Sequence, residues 1–155
     1  MDSRSLLLLL VHAFATTALA GLIWTIQVVH YPLFSDVGLG EFAKFHHNHS
    51  FRITLIVGPL MAVEGITTLW LLARRPAGVP VFLTWGAAVV LAIVHLATIT
   101  LSVPAHNRLS KEFSMSAYER LLNTNWVRTF GWSARAVLAF VMIFGFVRAV
   151  GSNAS

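Results

Sequence analysis

The chain has 155 residues, of which 57% are hydrophobic and only 11% are charged. A soluble domain carries roughly 25% charged residues, so this composition excludes a water-soluble globule and a disordered chain. The net charge is +5, but the basic residues are scattered between apolar runs, and we therefore expect no nucleic-acid partner. The absence of cysteine excludes disulfides, iron–sulfur clusters and thiolate zinc sites.

Four apolar stretches are each long enough to cross a bilayer, which needs about 20 residues. In chain order they cover about 6–30, 42–72, 81–103 and 125–150. Pro32 and Pro104 mark the expected ends of the first and third stretches, because proline disfavours helix in the residue before it. The linkers are short, which favours antiparallel neighbours. The sequence predicts a single all-α domain, 1–155, that forms an antiparallel four-helix membrane bundle.

The segment 105–124 is longer than a turn and has apolar residues on one face. This pattern predicts a short amphipathic helix between helices 3 and 4, lying on the membrane surface. Two roles stay open for it, a lid over a site or a connector without a gating role.

Polar residues from all four predicted helices reach one level of the bundle. At a rise of about 1.5 Å per residue, they lie about 28–39 Å from the end that carries the basic turn Arg74-Arg75. Neutral imidazoles are common ligands of zinc, copper and iron, so we interpret the histidines at this level as a metal site. The alternative is a wet interfacial loop around 46–49. The predicted metal ligands are His30, His46, His49 and His106.

Other polar residues follow one face of each helix, and charges inside a membrane are costly unless they face the bundle interior. We expect a catalytic group in which Glu64 or His95 is a further ligand or proton relay. Arg128 and Arg135 orient the polar group of a substrate, although Arg135 could instead neutralise Glu64. The predicted substrate-binding residues are Gln27, Arg52, Asn125 and Trp132, the last with core packing as an equal alternative.

These segments carry an HxxH motif at 46–49 and an NWxRTxxWxxR motif at 125–135. Together with the segments 27–32 and 103–109, the chain resembles a group of small, mostly uncharacterised bacterial four-span membrane proteins. In size and topology it is also distantly similar to four-span families that include anthrone-oxygenase-like and copper- or haem-linked membrane proteins. The second similarity implies metal or redox chemistry. We expect a multi-pass protein of the cell inner membrane.

Three functions compete. The first is a metal-dependent oxidoreductase that uses iron, copper or zinc and admits a lipophilic small molecule from the bilayer. The second is a b-type haem protein, with histidines on facing helices as ligands and arginines on the propionates. The third is a non-enzymatic protein that binds or transports an anion or lipid headgroup through Arg52, Arg128 and Arg135. Lipid is an expected partner, and a homo-oligomer stays an open alternative.

Overall fold

The computed structural model describes residues 3–152, and every regular element in that range is helical. Residues 1–2 and 153–155 of the single predicted domain lie outside the described residues. Four helical stretches are each long and apolar enough to cross a membrane, which confirms the predicted all-α four-helix bundle and indicates a multi-pass membrane protein. The elements are α1 (Ser3–Thr25), a π turn (Ile26–His30), a 3-10 turn (Pro32–Asp36), α2 (Leu39–Ala73), α3 (Val81–Ala97), a second π turn (Thr98–Ser102), α4 (Val103–Leu109) and α5 (Met115–Ser152).

Buried clusters at the two ends show the up-down-up-down order. One cluster combines residues from the ends of the first and third stretches with residues from the starts of α2 and α5. The cluster at the basic-turn end does the reverse. Large apolar side chains cover the outside, with Phe14 70% exposed and Leu69 67% exposed. Such an apolar surface suits contact with acyl chains. Each helix also satisfies its own backbone hydrogen bonds, as a segment that crosses lipid must.

The first and third helical stretches continue beyond Pro32 and Pro104. Just before each proline lies a π turn, in which Tyr31 N–H donates to the carbonyl of Ile26 and Val103 N–H donates to that of Thr98. Pro32 and Pro104 then fall in the first turn of the next helical piece, where a missing N–H leaves no bond unmade. The first and third helices therefore extend past the residues at which the sequence predicts their ends.

The segment 105–124 is divided between two long helices. Its first part belongs to α4, which continues the third helix, and its last part is the start of α5. Only the turn at residues 110–114 connects them. The apolar residues that suggested a membrane-surface helix instead pack into the bundle, since Leu109 and Leu121 are fully buried in the cluster at this end.

The basic turn is held close to α5 by glycine. Gly78 has a φ of +73°, and a Cβ atom at this position would lie 2.5 Å from the carbonyl oxygen of Gly145. Only glycine fits such a left-handed backbone position at this separation. This contact fixes the end of the bundle opposite the histidines.

Candidate functional site

The four histidines predicted as metal ligands lie together at the end opposite the basic turn. The ring centroids of His30 and His49 are 4.4 Å apart, and those of His46 and His106 are 5.1 Å apart. The two pairs are neighbours, because His49 and His106 stack with centroids 6.2 Å apart. The level predicted from helical rise therefore corresponds to one cluster of rings from three helices.

Within this cluster the four imidazole rings form two hydrogen-bonded pairs. Nε2 of His30 lies 2.8 Å from Nδ1 of His49. Nε2 of His46 lies 3.0 Å from Nδ1 of His106. Across residues 3–152, no group of three or more His, Cys, Asp or Glu side chains is arranged so that it could hold a metal ion. The predicted ligands thus form two hydrogen-bonded pairs instead of one four-nitrogen centre.

The second pair belongs to a longer chain of hydrogen bonds. Nδ1 of His46 lies 3.1 Å from the hydroxyl of Ser110, and Nε2 of His106 lies 2.9 Å from the hydroxyl of Tyr31. Both ring nitrogens of both histidines are therefore engaged. This chain of hydrogen bonds runs from the exposed Ser110 to the buried Tyr31.

The two π turns position Tyr31 and His106, which contact each other at one end of this chain of hydrogen bonds. Each π turn inserts one residue into an α-helix, which rotates the following side chains by about 100° relative to an uninterrupted helix. Tyr31 directly follows the first π turn, and His106 lies one turn after the second. Both side chains consequently face the bundle interior, where they meet.

Phe34, in the 3-10 turn, closes the histidine cluster on one side. Its side chain is fully buried, and its ring contacts His30, His46 and His49 edge-on, with centroids 5.3 to 5.7 Å away. An apolar wall of this kind limits the access of water to the imidazole pairs.

A cavity of about 350 Å³ adjoins the cluster, between α2 on one side and the α3–α4 helix on the other. Its polar end contains Tyr31, His49, His106 and Arg128, and its other end contains Val57 and Met61. From His49 to Met61 the α2 helix rises about 18 Å, so the cavity extends for that length along the helix. It therefore has a polar head region and an apolar tail region.

Arg128 is positioned by a line of buried amides. Its Nη1 donates to Oδ1 of Asn125 at 3.1 Å and to the Ser102 hydroxyl at 3.3 Å. Nδ2 of Asn125 donates to Oε1 of Gln27 at 2.8 Å, and Nε2 of Gln27 donates to the carbonyl of Leu122. Gln27 and Asn125, which the sequence predicts to bind substrate, each contact the next polar group and do not line the cavity.

The positive charge of Arg128 is not neutralised by a neighbour. The side chain is 9% exposed, and within residues 3–152 its hydrogen-bond partners are neutral. Its Nε has no partner there, and neither does the buried hydroxyl of Ser50, which lines the same cavity. A buried charge without a counter-charge is costly, so this end of the cavity favours an anion.

The other predicted catalytic residues lie deeper. Glu64 is about 22 Å further along α2 than His49, and its carboxylate forms a fully buried ion pair with Arg135. Arg135 also donates to the Ala87 carbonyl and, at 2.8 Å, to the hydroxyl of Thr68. Arg135 therefore neutralises Glu64, and the structure places this pair apart from the histidine cluster.

Three predicted residues belong neither to the Glu64–Arg135 ion pair nor to the chain of hydrogen bonds from Ser110 to Tyr31. His95 is half-buried, and its Nδ1 lies 3.0 Å from the carbonyl oxygen of Leu91 in its own helix. Trp132 packs in the central apolar core with Leu19 and Val94, which is the alternative role expected for it. Arg52 lines a separate groove of about 520 Å³ between α1 and α2, which His30 and His49 also line.

Comparison with known proteins adds no family to this description. No family model, no curated protein and no solved structure matches the chain. The resemblance based on the HxxH and NWxRTxxWxxR motifs accordingly stays an expectation, and the function is inferred from the geometry of this chain alone.

Sequence reasoning missed several polar side chains of the site. The sequence singles out Tyr31 only as the residue before Pro32, although its hydroxyl contacts His106. It predicts Ser110 in a surface connector, although this hydroxyl contacts His46. Each lies beside a predicted site residue or within one turn of one, so the signal was proximity along the chain to a histidine.

Proposed function

We propose that this protein binds a lipophilic small molecule with an anionic head, within the bilayer. The head lies at Arg128, and the apolar chain lies along the end of the cavity that contains Val57 and Met61. The observation that carries the proposal is the buried Arg128 guanidinium, which lines a cavity and has no carboxylate partner in the described part of the chain.

Several hydrogen-bonding groups surround the head position. The Tyr31 hydroxyl, the unpartnered Ser50 hydroxyl and Nε of Arg128 all belong to residues that line the cavity. A carboxylate or phosphate oxygen accepts hydrogen bonds from each of these groups, and charge-assisted bonds are about twice as strong as neutral ones. The anion would also provide the counter-charge that the buried guanidinium lacks.

The remaining surface of the cavity selects for an apolar chain. Ile53, Val57 and Met61 follow one another along α2 below the polar end. A cavity of about 350 Å³ falls at the lower end of the range typical of small-molecule sites, about 300–1,000 Å³. An amphipathic molecule of moderate length satisfies both ends, whereas a small inorganic anion leaves the apolar end unfilled.

The first prediction uses decanoate and decanol, which differ only in the charge and oxygen count of the head group. Titration calorimetry on detergent-solubilised protein should give at least tenfold tighter binding of decanoate, since hydrogen bonds to a charged group contribute about 1.5–3 kcal/mol. Arg128→Gln should abolish this preference, because glutamine cannot supply the charge.

Arg120→Gln is the matched control, since Arg120 is an exposed arginine on the same helix. It should keep the wild-type preference. Equal affinities for the two compounds in the wild-type protein, or an unchanged preference in Arg128→Gln, would contradict the proposal.

A second candidate function is favoured by one observation, the clustering of four imidazole rings whose neighbouring centroids lie 4.4–6.2 Å apart. We infer that a transition metal ion (iron, copper or zinc) can bind between His30 and His49 once their nitrogens, now hydrogen-bonded at 2.8 Å, move apart to about 3.3 Å, as two bonds of about 2.0–2.1 Å to a tetrahedral ion require. Such an ion would lie beside His49, which lines the polar end of the cavity. A porphyrin would need its whole macrocycle placed between the rings, so a single ion requires the smaller rearrangement.

The second prediction tests the metal directly. After dialysis against each metal in turn, elemental analysis of the purified protein should find about one ion per chain, and the His49→Ala variant should lose it. His47→Ala is the control, because His47 is the exposed neighbour in the same motif. If no stoichiometric metal is found, or if the control loses it equally, metal-dependent oxidoreductase activity is refuted.

A further inference from the structure

A third cavity lies at the basic-turn end, between the start of α1 and the end of α2. Its volume is about 770 Å³, and it belongs to neither the histidine cluster nor the Arg128 cavity. Its charged lining residues are Arg4, Arg74 and Arg75, which lie around its outer end. No acidic side chain is found among its described lining residues.

We propose that this cavity binds one phospholipid with an anionic headgroup. The three arginines lie at the ends of two membrane-spanning helices, at the level where headgroups are found. A cluster of positive charge at this level attracts anionic lipid and contributes about 1 kcal/mol for each basic residue, which corresponds to roughly fivefold in affinity.

The apolar part of the lining distinguishes a lipid from a soluble anion. Leu7, Val11 and Ile66 line the cavity below the arginines, over about 10 Å of helix rise, and all three side chains are exposed on the outside of the bundle. Trp70, which is 55% exposed, lies at the same level, as tryptophan does at membrane interfaces. An acyl chain covers this groove continuously from the bilayer, whereas free phosphate contacts only the arginines.

The third prediction is tested by native mass spectrometry of the full chain in detergent, with phosphatidylglycerol and phosphatidylcholine of identical acyl chains at equal concentration. The wild-type protein should retain one phosphatidylglycerol with roughly 100-fold preference, about fivefold for each arginine. Arg4→Gln combined with Arg74→Gln should lower that preference to about fivefold, the contribution of the remaining Arg75. Arg75 is left unchanged because it donates to the carbonyl of Val79 and so supports the turn itself.

Arg148→Gln is the matched control, because Arg148 lies near the same end but over the ring of Phe144, outside the cavity. It should keep the preference, and so should Arg128→Gln, which separates this inference from the proposed function. Thermal unfolding verifies that each variant is folded, and Arg74→Gln alone replaces the double variant if that one is not. Equal retention of the two lipids by the wild type, an unchanged preference in the variant, or displacement of the lipid by equimolar inorganic phosphate would overturn the proposal.

Discussion

Replacing Arg135 by leucine is expected to destabilise the protein by about 3–5 kcal/mol, because the Glu64 carboxylate is then left buried without its partner. Glu64→Leu alone should cost a similar amount, since the guanidinium keeps only Thr68 and the Ala87 carbonyl. The double replacement should recover most of the loss, because two leucines need no counter-charge. Unfolding in mixed micelles, followed by circular dichroism, measures the three free energies.

The control for this fourth prediction is Glu119→Leu, which removes an exposed carboxylate from α5 and should change stability little. If the losses of the two single variants simply add in the double variant, the pair does not act as a unit and the prediction fails. The double variant also separates stability from function. It should still bind decanoate, because Arg128 and its amide neighbours are untouched.

Asn125→Asp is expected to weaken decanoate binding at least tenfold while leaving the protein folded. The new carboxylate would lie where Oδ1 of Asn125 now accepts from Arg128, 3.1 Å away. It would neutralise the guanidinium from within, so an anionic ligand would lose its main attraction. The cost to stability should be about 1 kcal/mol, because one hydrogen bond to Gln27 is lost and an ion pair is gained.

Asn123→Asp is the matched control for this fifth prediction. It introduces the same charge two residues earlier on the same helix, at an exposed position. Calorimetry should show decanoate affinity within about twofold of wild type, since screening is strong at the surface. Equal losses in the two variants would mean that overall charge, and not the buried contact with Arg128, governs binding.

Hydropathy was sufficient to predict the bundle because a helix in lipid must bury its backbone bonds internally, which makes each span visible as one apolar run. Helical rise then predicted the shared level of His30, His46, His49 and His106, since antiparallel helices of similar length align their ends. Both signals depend only on distance along one helix, and this distance can be calculated from the sequence.

The partner of each polar side chain depends on neighbouring helices, which the sequence does not contain. Periodicity placed Glu64 on an inward face but left open whether Arg135 neutralises it or binds the substrate, and the structure pairs the two residues. The π turns also shift the helical phase before Tyr31 and His106, so a uniform 100° per residue misplaces the side chains beyond each turn.

The hydrogen bonds in the line from Tyr31 to Ser110 can run in either of two directions. The direction of donation must be the same at every member of the line. In the first direction the Tyr31 hydroxyl donates to His106, and His106 donates to His46. His46 then donates to Ser110, whose own proton goes to the backbone carbonyl of His106. A neutral imidazole has a single N–H, so a ring that donates on one side must accept on the other.

An anion bound beside Arg128 as proposed would reverse this line if it accepted the hydrogen bond of the Tyr31 hydroxyl. His106 would then donate to the tyrosine oxygen, both rings would exchange tautomer, and Ser110 would change from acceptor to donor and release the carbonyl to which it had donated. The polarity of the whole line would thereby be inverted as far as the exposed Ser110 hydroxyl, which lines the same cavity.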